Sequence, residues 1–335
     1  MSNKINTLTK ETSFTSKEVK LKSLTIDNEN YYQISNNDAM RPFFMSIVSD
    51  SNHWMFISSN GGLTAGRKNS EYALFPYYTD DKITESADIT GNKSIFRIYK
   101  NNQEFKWEPL AVRSLGSYST TQNLYKNRCG NKIIFEEVNH DLELTYRYQW
   151  SSSNAFGFVK KSKLINTGKE AVKVSLLDGI QNIMPASIGS DEQNQSSNLV
   201  DAYKRNELEE ATGLGIFALS AILVDKAEAS EALKANVVWS IGLNSPKYLL
   251  SSLQLNNFRL GNEVQQEVDV KAEKGAYFLN SDIILEKESA KEWMIKLSER
   301  LFAFIECSKY DLLRLTNFFN LSNESFVFLP ENAWV

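Results

Sequence analysis

The sequence predicts an all-β fold with minor helical insertions, arranged as a large antiparallel β-sandwich. Aromatic residues make up 12% of the 335-residue chain, with 14 Tyr and 19 Phe, and this composition suits sheets better than helical bundles. From Leu142 to Trp150, large apolar side chains alternate with polar ones, and a period of two places one apolar face on a strand. Helical and strand-like segments do not alternate in βαβ order, so a parallel sheet is not expected.

The first half of the chain contains a series of short predicted strands. Phe43–Val48 and Trp54–Ser58 are predicted as two strands around a polar turn, and Asn60–Arg67 as a glycine-rich loop. Ser94–Lys100 and Phe105–Glu108 flank a short polar segment with two asparagines and therefore predict a hairpin.

The centre of the chain carries the stretch around which we expect the other strands to be organised. Val172–Leu177 is predicted as a strand that Asp178 and Gly179 terminate, and a helix is predicted from Leu199 to Ala211. A short helix is predicted at Gln254–Leu260, closed by a glycine. Further strands are predicted at Lys132–Val138, Phe158–Ile165, Gly275–Leu285 and Lys291–Leu297.

Three segments follow from these elements. Residues 1–25 are predicted to be a polar lead-in, and residues 26–300 to form the sandwich domain. Residues 301–335 are predicted to be a helical linker or tail, because leucine and phenylalanine side chains share one side of Ser308–Asn320. The apolar end of this tail predicts a further C-terminal domain that the chain lacks.

Composition and charge exclude several classes of partner. The net charge of −4 argues against a nucleic-acid partner, which needs a clustered basic surface. No apolar run approaches the ~18 residues of a membrane span, and the N-terminus lacks the apolar segment of a signal peptide. Cys129 and Cys307 are expected to be reduced thiols in a cytoplasmic protein. No cofactor is indicated, and two distant histidines and two distant cysteines predict no metal site.

A family resemblance appears in the central stretch. Leu164–Ala186 (LINTGKEAVKVSLLDGIQNIMPA), with Ser58–Arg67 and Asn198–Ser220, resembles the N-terminal β-supersandwich of cellobiose-phosphorylase-like and related glycoside-hydrolase-like proteins. The resemblance implies a galactose mutarotase-like sandwich and an oligo- or polysaccharide partner. It also implies that the catalytic carboxylates lie in a following helical (α/α) barrel, so this chain would be inactive alone and would bind glycan or brace that barrel. Fold likeness alone does not establish function.

The candidate carbohydrate-binding residues cluster in one segment. Sugar recognition combines aromatic faces with amide, carboxylate and guanidinium groups, and we predict that these come from Trp54, Arg67, Asn69, Glu71, Tyr72, Tyr78 and Asp80. No catalytic residue is predicted, because the acids near this segment, such as Asp81 and Asp88, have a spacing that defines no shared face.

Two other functions remain open at this stage. A self-contained aldose mutarotase or epimerase would need a carboxylate base and histidine acids, and His53 and His140 are the only histidines. A pure assembly domain would pair two sandwiches, which allows a homodimer. Asp178 is interpreted as part of the scaffold.

Overall fold

The computed structural model describes residues 17–78, 80–154, 156–186, 188–195, 197–221 and 234–300, without the side chains of residues 80, 81, 299 and 300. The predicted tail 301–335 and the first part of the predicted lead-in lie outside these residues.

Within the described ranges the strands form three antiparallel sheets, which confirms the predicted all-β sandwich. In spatial order, the eleven-stranded sheet contains β1 (Lys20–Ile26), β2 (Glu29–Ser35), β8 (Thr120–Asn127), β9 (Lys132–Asn139), β10 (Leu144–Ser153), β11 (Gly157–Asn166), β19 (Ala290–Arg300), β15 (Ala235–Ile241), β14 (Leu214–Leu219), β13 (Lys204–Glu209) and β17 (Asp269–Lys271).

Two smaller sheets complete the described architecture. The five-stranded sheet contains β16 (Lys247–Leu249), β18 (Gly275–Leu285), β12 (Val172–Ile183), β6 (Gly91–Lys100) and β7 (Gln103–Trp107). The three-stranded sheet contains β3 (Phe44–Ile47), β4 (His53–Ser58) and β5 (Leu63–Arg67). The described α-helices are short: α1 (Asp80–Glu85), α2 (Ser190–Gln195), α3 (Ser197–Tyr203) and α4 (Leu255–Arg259).

The five-stranded sheet packs on the middle of the eleven-stranded sheet. The rings of Phe96 on β6 and Tyr146 on β10 meet edge to face, with centroids 5.1 Å apart. The three-stranded sheet covers a neighbouring part of the large sheet, where His53 on β4 contacts Phe158 on β11 with ring centroids 5.1 Å apart. The inward side chains of all three sheets belong to one apolar core.

The predicted alternation along β10 is confirmed. Leu144, Tyr146, Tyr148 and Trp150 are all buried in the main core, as is Leu142 just before the strand. The predicted hairpin of β6 and β7 is also present, and its turn residues Asn101 and Asn102 both have positive φ. Two consecutive left-handed residues are the signature of a type I′ turn, which matches the twist of the paired strands.

The prediction that Asp178 and Gly179 end a strand is wrong. β12 continues through both residues to Ile183 and pairs with β6 and β18 on either side. Gly179 is needed here for close approach, because a Cβ would lie 2.3 Å from the carbonyl oxygen of Tyr277. The glycine therefore marks the centre of a sheet, where the neighbouring backbone leaves no room for a side chain.

Three further predictions on element boundaries need correction. The helix predicted at Leu199–Ala211 ends at Tyr203, and Lys204–Glu209 forms strand β13, because pairing with β14 overrides the helical propensity of this segment. The predicted glycine-rich loop contains strand β5 at Leu63–Arg67. β1 at Lys20–Ile26 places the edge of the large sheet inside the predicted lead-in.

Candidate functional site

The described residues form a cleft of about 270 Å³ where the three sheets meet. One side is the turn between β4 and β5, with Ser59, Asn60 and Gly61. The floor includes Ser94 at the start of β6, and the opposite side is the loop that follows β7. The cleft thus lies between elements that are distant in sequence, at a place where ligand sites commonly form.

The two sides of the cleft differ in chemistry. Its apolar side is formed by Pro109, Leu110, Ala111, Val112 and Leu115. Phe135 and Tyr148 add a pair of stacked rings, 4.9 Å apart and inclined by 9°. The polar side carries Asn92, Lys93, Ser94 and Asp88. A ligand in this cleft would contact apolar surface on one side and hydrogen-bonding groups on the other.

Below the floor lies a buried polar network centred on Asp178. Its carboxylate is fully buried and, among the described residues, accepts hydrogen bonds from five side chains. The donors are Ser94 Oγ at 2.6 Å, Trp293 Nε1 at 2.6 Å, Lys160 Nζ at 2.8 Å, Tyr146 OH at 2.9 Å and Ser162 Oγ at 3.0 Å. The network joins the two large sheets and ties the cleft residue Ser94 to the core.

A charged cluster lies around Lys93, and two of its members, Asp88 and Lys93, line the cleft. The Lys93 ammonium contacts Glu108 at 3.2 Å and is also paired with Asp88. Arg259 on α4 donates two hydrogen bonds to Glu108, each 2.9 Å long, and Arg113 pairs with Asp88. Burial would raise the pKa of Glu108, but Arg259, Lys93 and Arg113 outweigh it and hold that pKa below its usual range. The cluster connects β6, the apolar loop and α4.

Glu108→Gln is expected to lower the free energy of unfolding at pH 7 by about 1–3 kcal/mol, because charged hydrogen bonds are lost. Since the folded pKa of Glu108 lies below the unfolded value of about 4.3, its stabilisation is present above that pH and is lost as the pH falls through the folded pKa. Urea unfolding from pH 7 to pH 3 should therefore show the difference between wild type and variant shrinking in acid. A constant difference over that range would contradict this expectation, and exposed Glu286→Gln serves as the control.

The predicted carbohydrate-binding residues lie away from this cleft, mostly at the end of the β4–β5 hairpin. Trp54 Nε1 donates to the backbone oxygen of Asn69 at 3.3 Å, and Asn69 Oδ1 accepts from the backbone N–H of Glu71 at 3.2 Å. Tyr72 follows Glu71, and its ring lies 4.9 Å from the ammonium of Lys68. The structure thus brings Trp54, Asn69, Glu71 and Tyr72 together.

The other three predicted residues, Arg67, Tyr78 and Asp80, are not brought together with this group. Arg67 is the cross-strand partner of His53, so its side chain belongs to the opposite face of the sheet from Trp54. Tyr78 is half-buried, and burial raises its pKa, while hydrogen bonds with Asn182 and Thr90 act against that rise. Asp80 begins α1, and its side chain lies outside the described part. Sugar binding by the predicted set stays a prediction.

Sequence reasoning missed the cleft and most of its polar residues. Asp88 is among the acids that the sequence offers, but nothing in the sequence near Lys93 or Ser94 marks them, because their role depends on contacts with β10, β12 and Glu108. In the part of the chain that the structure describes, neither histidine lines the cleft, so the histidine acids that a mutarotase would need are not found there.

Comparisons with known proteins find likeness in structure only. No protein-family profile matches the chain, and no curated protein matches it. A galactose mutarotase-like protein from Lactobacillus casei aligns over 77% of this chain and 100% of its own, with 8% identity and a TM-score of 0.39. A galactose mutarotase-like protein from Clostridium acetobutylicum aligns over 85% and 99%, with 9% identity and a TM-score of 0.36.

A polysaccharide lyase aligns over 77% of this chain, with 10% identity and a TM-score of 0.40, and the chain spans only 33% of its length. At these values the alignments carry no argument about activity. The chain's own strands define an antiparallel β-sandwich with a cleft between its sheets. No described helix has the length and apolar character to cross a membrane, and no described group of three or more metal-ligating side chains is found.

Proposed function

We propose that this chain is a carbohydrate-binding domain of a carbohydrate-active protein and that the cleft holds one sugar unit. The observation that carries the proposal is the contrast between the two sides of the cleft. A pyranose has apolar C–H faces and a rim of hydroxyl groups, so the apolar loop of residues 109–115 would take its faces and the polar side its hydroxyls. The volume of about 270 Å³ lies just below the ~300–1,000 Å³ range of ligand pockets, which suits a single unit.

The polar groups of the cleft favour a ligand that donates hydrogen bonds. The acceptor nearest to Ser94 Oγ is the Asp178 carboxylate, at 2.6 Å, so the Ser94 proton is directed there and its lone pairs remain as acceptors. Asn37 and Asp38 also line the cleft, and no donor within the described residues reaches the Oδ1 atom of either. Several acceptors in one small space match a polyol better than an anion.

The carboxylates of the cleft support binding rather than catalysis. Asp38 is paired with Lys17 at 2.7 Å, and Asp88 is paired with Lys93 and Arg113. Burial opposes ionisation of Asp88, but these two cations lower its pKa, so it is a poor proton donor. Glycoside cleavage needs one protonated carboxyl group. In this proposal catalysis, of glycoside phosphorylase or hydrolase type, belongs to a helical domain that this sandwich would brace.

Ser94→Ala is expected to weaken sugar binding about tenfold, because one hydrogen bond between ligand and cleft is lost. Isothermal titration with glucose, galactose, cellobiose and maltose identifies the sugar and measures the loss. Ser162→Ala is the matched control, since Ser162 also donates to Asp178 but does not line the cleft.

The pair of variants separates binding from stability. Both should lower the melting temperature by similar amounts, because each removes one hydrogen bond to Asp178. Only Ser94→Ala should reduce affinity. Equal affinity of the two variants would remove Ser94 from the site, and failure of every sugar to bind the wild type would overturn the proposed function.

A further inference from the structure

The outer face of the three-stranded sheet carries aromatic side chains in solvent. On β4, Met55 and Ile57 point into the core, and Trp54 and Phe56 point the other way. Phe56 is 45% exposed, Phe44 on β3 is 42% exposed, and Trp54 is partly exposed. Large apolar side chains grouped on one exposed face often mark a binding surface. We call Phe44, Phe56 and Trp54 the aromatic strip.

The register of the sheet places the three rings in a row. Phe44 is opposite Ser58, and Phe56 is opposite Ser46, so the two phenylalanines are diagonal neighbours on one face. The rings of Phe56 and Trp54 have centroids 6.3 Å apart and are inclined by 38°. The strip therefore extends across β3 and along β4.

The Trp54 end of the strip is held in place before any ligand arrives. Tyr77 packs against the indole edge to face, with centroids 5.9 Å apart. The indole N–H is bound to the backbone oxygen of Asn69. A ring that is already oriented loses little conformational freedom on binding, and this favours its use as a recognition surface.

The Phe44 end of the strip adjoins the cleft. Phe43 and Ser59 are joined by two hydrogen bonds, from the Ser59 N–H to the Phe43 oxygen at 2.8 Å and from the Phe43 N–H to Ser59 Oγ at 3.1 Å. Pro42 and Ser59 both line the cleft. The strip thus begins beside the cleft rim and leads away from it.

We propose that the aromatic strip binds further units of a linear oligosaccharide whose end unit lies in the cleft. This inference rests on the proposed function and specifies its ligand as an oligosaccharide. The strip offers ring faces for the C–H faces of successive sugars, and exposed Ser46 lies beside Phe56 as a hydrogen-bonding group.

The size of the strip favours a sugar chain over a protein partner. Its three partly exposed side chains offer less than roughly 300 Å², given about 150–250 Å² for a whole aromatic side chain. A stable protein–protein interface buries about 800 Å² on each partner. A narrow row of rings matches a linear chain much better than a second globular surface.

The test measures affinity against chain length. Wild type is titrated with glucose and with cello-, malto- and laminari-oligosaccharides from the disaccharide to the hexasaccharide. Affinity should rise with length in one series, and Phe56→Ala and Trp54→Ala should each remove about tenfold of that gain while leaving glucose affinity unchanged. Leu253→Ala is the control, because Leu253 is exposed on a different part of the chain.

Each outcome decides the inference. If glucose binds and Ser94→Ala weakens it, but affinity does not depend on length, the strip proposal is overturned and the proposed function stands. If no sugar binds wild type, both are overturned. If Phe56→Ala leaves all affinities unchanged but converts a dimer into a monomer in sedimentation, the strip is a contact between two copies and the inference is overturned.

Discussion

Asp178→Asn is expected to lower the free energy of unfolding by about 3–5 kcal/mol, the usual cost of breaking a buried ion pair. Asp178 and Lys160 are both fully buried, and their charged atoms are 2.8 Å apart. An asparagine would leave the Lys160 ammonium in the core without a counter-charge. Burial already lowers the pKa of Lys160, and Asp178 acts against that shift.

The measurement is urea unfolding of Asp178→Asn, Lys160→Met and the double variant Asp178→Leu/Lys160→Met. Each single variant should lose several kcal/mol, and the double variant should lose less than the sum, because no charge is left unpaired. If the free energy of unfolding of each single variant lies within about 1 kcal/mol of the wild-type value, the ion pair does not hold the sheets together. Lys161→Met is the comparison, because it removes a partly exposed ion pair with Glu292. It should lower the free energy of unfolding by about 1 kcal/mol or less.

Gly179→Ala should destabilise the sandwich by about 3 kcal/mol, because the added methyl group overpacks the centre of a sheet. Its Cβ would lie 2.3 Å from the Tyr277 oxygen and 2.4 Å from a ring carbon of Phe278. The clash is partly with backbone, so relief requires β12 and β18 to separate and to weaken their hydrogen bonds.

A matched glycine variant isolates the steric part of this effect. Gly116 has φ +78°, but a Cβ there would meet no atom within 4 Å. Gly116→Ala should therefore cost only about 1–2 kcal/mol for the left-handed backbone. Thermal and urea unfolding of the two variants should rank Gly179→Ala as clearly less stable. Equal losses would mean that the sheet can absorb the methyl group.

Local patterns predicted the strands where one face is apolar. The alternation along β10 reports burial on one side directly, so its core face could be predicted from Leu142, Tyr146 and Trp150 alone. The hairpin at Asn101 and Asn102 could be predicted because these residues tolerate positive φ. The strand at Lys204–Glu209 could not be predicted, because it forms by pairing with β14. That pairing is not visible in the sequence of the segment itself.

The candidate site residues also divide into those that the sequence could predict and those that it could not. The sequence identified Trp54, Asn69, Glu71 and Tyr72 as a group because they are close along the chain and the β4–β5 hairpin keeps them close in space. The sequence could not place Arg67 on the opposite face from Trp54, because this segment is predicted as a loop and the register of strand β5 is therefore not visible in it. The cleft was missed because its sides come from separate sheets.

By itself, the sequence determined the all-β class of this protein, the core face of strands with a clear alternation such as β10, and the aromatic character of the β4 region. The tertiary structure alone decided the role of Asp178 and Gly179, which locally resemble a strand end. A buried carboxylate needs donors, and here they come from β6, β10, β11 and β19. A glycine in a strand reflects how closely its neighbours approach. Both are properties of distant residues brought together, so no local pattern could contain them.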